Sequence, residues 1–192
     1  MKKFIFLMVG LMLFASCEKG KQTTGVNVED TIATDTMFMT SNYDNYRWFE
    51  VTVTLQNFLD EDSLGNKVVE VSNVFQTTSV EDTSFDTHVI ICKHNEQGSS
   101  YDVRHGFWVE DLPLVKDDIK LTFEEAYEKV MATNCPKPHS KYVVLRKELG
   151  PKNCNPQYIF GNVRAQLYVD AVTGNVTDKN PVFEGFNLAT PV

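Results

Sequence analysis

The residues best spaced for chemistry lie between 88 and 105. His88, Ile90, Cys92 and His94 are each two apart, so a strand points all four to one face. Glu96-Gln97-Gly98 reads as a turn, and His105 lies on the strand beyond it. A two-residue turn centred near Gln97 places His105 opposite Ile90 and diagonal to Cys92. Thiolate and imidazole are transition-metal ligands, so Cys92, His94 and His105, with His88 beside them, form a candidate metal or haem site. Ile90, Val103 and Phe107 share that face, the pattern of ordinary core with polar residues at its rim. A Cys–His nucleophile pair needs a third group to orient the imidazole, and the sequence places no Asn or Asp there. The expectation is therefore no metal, no cofactor and no enzyme.

Three other cysteines suggest different chemistry. Cys135 and Cys154 sit in Pro-containing loops, and a bridge between them would close a loop of about twenty residues, worth roughly 3 kcal/mol. Cys135 precedes a strand and Cys154 lies near that strand's far end. A seven-residue strand is about 23 Å long, beyond the reach of an S–S bond unless a loop folds back. A disulfide and two free thiols both remain open. Cys17 ends a leader: Lys2 and Lys3 form a positive start, and Phe4 to Ala15 is an apolar run too short to span a bilayer. Phe14-Ala15-Ser16-Cys17 resembles a lipobox, the processing site of bacterial lipoproteins. Residues 1–16 are then a signal peptide, and Cys17 is the lipidated N-terminus.

The remaining elements follow in order. Residues 17–40 are polar and turn-rich, and read as the lipidated cysteine plus a flexible tether. Asp30-Thr31-Ile32, Asp35-Thr36-Met37 and Asp62-Ser63-Leu64 match an Asp-Ser/Thr-apolar O-glycosylation pattern, making Thr31, Thr36 and Ser63 candidate sugar acceptors. Residues 41–118 read as an antiparallel meander. Phe49, Val51, Val53 and Leu55 alternate onto the core face, while Tyr46 and Trp48 fall with Glu50, Thr52 and Thr54. Two aromatics on a polar strand face are candidate ligand-contact residues. The acidic loop at 60–66 begins like a calcium site, but Leu64 and Val71 stand where oxygen ligands are needed.

The strongest local signal is at 121–131. Thr122 with Glu125 forms a capping box, and Phe123, Ala126, Tyr127 and Val130 make one apolar stripe, so the spacing predicts a helix. Three alternating strands follow, with Val143 and Leu145 on one face of the first and Ala165, Leu167, Val169 and Ala171 on one face of the last. The run from Leu121 through Tyr168-Val169-Asp170-Ala171 and Thr173-Gly174 resembles the PepSY domain of secreted metallopeptidase propeptides and bacterial envelope proteins. That resemblance covers residues 119–180, under a third of the chain. It implies a binding or inhibitory module and transfers no catalytic residue.

The 192-residue chain is 42% hydrophobic, enough for a core, and carries a formal charge of −8. Losing Lys2 and Lys3 with the leader leaves 16 basic against 26 acidic residues, a surface that repels nucleic acid. The fold class expected is α+β: an antiparallel β-meander followed by a helix-plus-three-strand unit, the helix packed on a sheet face, and a tail over 181–192. The leading functional expectation is a non-catalytic, lipid-anchored protein of the bacterial envelope, at the outer membrane, that binds a protein or peptide partner. Alternatives are carbohydrate or small-ligand binding through Tyr46 and Trp48, and metal or haem binding at His88, Cys92, His94 and His105.

Overall fold

The computed structural model describes residues 25–61, 66–81, 84–109 and 111–185. Cys17, the leader and Ser63 lie outside them. The elements fall into two consecutive units. The first is α1 (Val28–Asn42), β1 (Tyr46–Leu55), β2 (Val68–Glu81), β3 (Ser84–Asn95) and β4 (Gly98–His105). A two-residue strand, β5 (Asp111–Leu112), leads to the second: α2 (Phe123–Ala132), β6 (Tyr142–Glu148), β7 (Gln157–Asn162), β8 (Ala165–Asp170) and β9 (Val176–Thr177). Each unit is thus one helix followed by four antiparallel strands. They join through their first strands, since β1 pairs antiparallel with β6 from Glu50↔Arg146 to Thr54↔Tyr142. The result is one sheet in the order β4-β3-β2-β1-β6-β7-β8-β9, with β5 beside β6. The fold is α+β, with helix packed on sheet. The meander and the second unit form one continuous sheet.

Register fixes which side chains meet the helices. Val51 lies opposite Leu145, and Leu145 opposite Tyr158; Val53 lies opposite Val143, and Val143 opposite Phe160. These residues, with Leu167 and Val169, share a core with Val28, Ile32 and Met39 of α1 and Phe123, Ala126 and Val130 of α2. The capping box of α2 is present: the Thr122 hydroxyl accepts from the Glu125 amide at 3.2 Å, and the Glu125 carboxylate accepts from the Thr122 amide at 2.8 Å. At the end of β8, Asp170 Oδ1 accepts from the amides of Val172 and Thr173. Gly174, at φ 75°, completes that turn in a conformation that suits glycine. The Asp170–Gly174 motif is therefore a turn-building device.

Four sequence expectations need correction. Residues 28–42 are not tether but a 15-residue helix, capped by Asn27, whose Oδ1 accepts from the Asp30 amide. The segment reads as polar because the buried face of α1 mixes Thr31 and Asp35 with Val28, Ile32 and Met39. Thr31 is lost as a candidate sugar acceptor with it. Thr31 is buried with its hydroxyl donating to the Val28 carbonyl, and Thr36 is half-buried in the helix beside fully buried Asp35. Trp48 is buried as well, because a register shift between Trp48 and Glu50 turns it onto the face of Val51. Tyr46 is half-buried beneath α1, with its hydroxyl 2.9 Å from that of Thr40. Last, the tail expected over 181–192 docks at its start: Val182 is buried, and its amide donates to Asn180, which in turn donates to Glu148.

Met39, fully buried near the C-terminus of α1, separates helix from tether by experiment. Met39→Ala should lower unfolding stability by about 2–5 kcal/mol, the usual cost of a core truncation. Urea denaturation measures it; a tether residue would show no change.

Candidate functional site

The two helices act as controls for each other. Asp35 stands eight residues after its cap, Asn27, and Val130 eight residues after its cap, Thr122. Both are completely buried against the sheet. The second unit fills this place with valine, whereas the first fills it with a carboxylate. A buried charge costs several kcal/mol unless the protein supplies its partners, so geometry alone does not call for Asp35.

The partners come from the strands below. Asn73 on β2 donates through Nδ2 to Asp35 Oδ2 at 2.7 Å. On β3, His94 Nε2 lies 2.8 Å from Asp35 Oδ1, and Cys92 directs its thiol at the same carboxylate. Val71 lies opposite His94 and Asn73 opposite Cys92, so these polar groups interrupt an apolar face. The second nitrogen of His94, Nδ1, lies 2.7 Å from the hydroxyl oxygen of Ser99 on β4, directly across the ladder. A carboxylate can only accept, which puts a proton on Nε2; in the neutral imidazole Nδ1 is then the acceptor for the Ser99 hydroxyl. A line of hydrogen bonds therefore runs from buried Asp35 through nearly buried His94 to exposed Ser99.

The sequence-derived candidates are rearranged. The β3–β4 turn is Glu96-Gln97, one residue earlier than expected, so His105 lies opposite His88, with ring centroids 4.3 Å apart, rather than opposite Ile90. Cys92 and His94 are separated from that pair and committed to Asp35. Among the described residues, no three His, Cys, Asp or Glu side chains are grouped to hold a metal ion. Cys135 and Cys154 are free, half-buried thiols, so the disulfide is not formed. The orienting group that the sequence did not supply is Asp35, from the segment read as tether. Ser99 was available from the turn, since a two-residue Glu96-Gln97 loop pairs it with His94. Nothing local marks Asp35.

Beside this network lies the free edge of the sheet. All eight residues of β4 are exposed. The Gly106 amide donates to the Thr87 carbonyl, so ladder alternation points the amides and carbonyls of Ser99, Tyr101 and Val103 outward. No strand of the described residues pairs with that side. The side chains of Tyr101 and Val103 are 44% and 54% exposed on the helix side, where Tyr101 stacks on Phe38 of α1 at 4.4 Å. On the other face Arg104 pairs with Asp102. No family model matches this chain, and comparison with curated proteins and with solved structures finds no match.

Burial, and then the charge and hydrogen bond of Asp35, push the Cys92 thiol up to about 12. The folded protein keeps that proton where an unfolded thiol, titrating at 9.0, loses it. This contribution to stability is complete below that value and declines as pH rises through it toward the folded one. Urea midpoints should fall across the alkaline range, and Cys92→Ala should flatten the decline. Thiol reagents at neutral pH should label Cys135 and Cys154 in the native protein and reach Cys92 only after unfolding.

Proposed function

We propose that this chain is a lipid-anchored protein of a bacterial envelope that binds an extended segment of a protein partner along β4. The observation that carries the reading is the outer strand itself. Eight exposed residues, every second one with its amide and carbonyl outward, offer a template for strand addition, in which backbone hydrogen bonds supply affinity and alternate side chains supply selectivity. Tyr101 and Val103, flanked by Phe38 and by Phe107 at 68% exposure, give the helix-side face an apolar stripe for every second side chain of the incoming strand. Sheets usually shield such an edge with charge or a bulge; here the charged pair Asp102 and Arg104 sits on the opposite face only.

Two sequence features support the envelope setting. The lipobox-like Phe14-Ala15-Ser16-Cys17 follows a short apolar leader, and the order of the second unit resembles the PepSY domain of exported binding modules. The acidic surface favours protein over nucleic acid as partner.

Val103→Pro tests the binding edge. The lost N–H points outward, away from the β3 ladder, so proline there should be tolerated as it is on other edge strands. The variant should fold with stability within about 1 kcal/mol of wild type yet lose at least tenfold in capture of partners from envelope extracts. Equal capture by both proteins contradicts strand addition. Mass spectrometry of the mature protein should find acyl chains on Cys17; an unmodified N-terminus elsewhere contradicts the anchor.

A further inference from the structure

We propose that Ser99 is an activated nucleophile, with His94 as its base and Asp35 as the residue that positions His94, and that it accepts acyl groups from carboxylic esters. The inference goes beyond partner binding and does not rest on it. Its grounds are the internal comparison between the two units and the placement of His94 within hydrogen-bond distance of both Asp35 and Ser99.

Where α2 needs only Val130 to seal the helix against the sheet, α1 buries a carboxylate with three polar partners. A structural account explains how the carboxylate is tolerated, but not why the line of bonds continues outward to a hydroxyl at the surface. Nucleophilic catalysis needs that continuation. A serine hydroxyl is a weak nucleophile until an adjacent base takes its proton, and the base works only when a third group holds its tautomer. His94 Nδ1 lies 2.7 Å from Ser99 Oγ, and Asp35 Oδ1 lies 2.8 Å from His94 Nε2. Asn73 holds the other carboxylate oxygen, so the acid cannot rotate away from the imidazole without losing a second bond. Ser99 itself is exposed, at the free edge of the sheet, where a substrate can approach.

The step balances as follows. Ser99 Oγ attacks the ester carbonyl carbon as the Oγ–H proton passes to His94 Nδ1, giving an imidazolium that faces the Asp35 carboxylate. The carbon–alkoxy bond then breaks, and the alkoxide leaves as an alcohol with the proton from Nδ1. Acyl-Ser99 is released as a carboxylic acid when water attacks, its proton moving by the same nitrogen. Charge on the former carbonyl oxygen is met by the outward N–H of Ser99, an edge amide without a strand partner among the described residues.

The adjacent Ser100 is equally exposed but lies on the other face of β4, opposite Lys93, away from the imidazole. It is a built-in control. The mature protein is incubated with p-nitrophenyl acetate, or with an alkyl fluorophosphonate that traps activated serines, and the adduct is located by peptide mass spectrometry. The expected result is one adduct, on Ser99, absent from Ser99→Ala and from urea-unfolded protein. His94→Ala should slow labelling at least a hundredfold, the ordinary contribution of a general base. If His94→Ala does not fold, the preference for Ser99 over Ser100 in the wild type decides. No adduct, labelling of Ser100 to the same extent, or an unchanged rate in a folded His94→Ala overturns the proposal.

Discussion

A carboxylate with no exposure to water sits at the centre of the first helix–sheet contact, and much of the molecule's shape is set by what that group requires. Asp35 must find donors inside the protein, because the desolvation cost of an unpaired buried charge exceeds what a few apolar contacts return. Asn73 and His94 supply them from two neighbouring strands. Those bonds are directional where apolar packing is not. They fix the rotation of α1 about its axis and its position along β2 and β3, and they do so without the continuous apolar stripe that seats α2. Removing His94 alone would leave the carboxylate buried without its main partner, so helix and strand depend on each other.

The tandem arrangement gives this constraint its place at the edge. Because β1 and β6 meet at the centre, the last strand of each unit becomes an outer edge. The two edges differ sharply. One is the two-residue β9, and the other is the eight-residue β4. The polar network therefore lies one strand in from the longer free edge, and its last member, Ser99, belongs to that edge. Chain topology, rather than local sequence, brings the buried acid, the imidazole, the hydroxyl and the open backbone together.

The sequence was informative where several local signals agreed. The α2 helix carries a capping box and an apolar stripe in the same ten residues, and packing had only to accept what the local pattern specified. The alternation of Val51, Val53 and Leu55 was readable for the same reason. Trp48 was not, because a bulge reverses inside and outside at one residue and leaves no mark in the alternation before it. The α1 helix was hidden by its own function in the fold. A helix that buries Thr31 and Asp35 looks like a linker to any test that counts apolar residues. The His94–Asp35 contact spans 59 residues, and no spacing rule connects positions so far apart. His88, Cys92, His94 and His105 were rightly grouped near one face, yet the turn begins one residue earlier, which shifts the register by two and pairs His105 with His88 and Ser99 with His94.

The central claim is that His94 is locked by Asp35 in one tautomer, with Nε2 protonated and Nδ1 open toward Ser99. Nitrogen-15 NMR of imidazole-labelled protein reads this directly. The account predicts one pyrrole-type signal from Nε2 and one pyridine-type signal from Nδ1, with the Nε2 proton slow to exchange with water. Two averaged nitrogen shifts and a rapidly exchanging proton would contradict it.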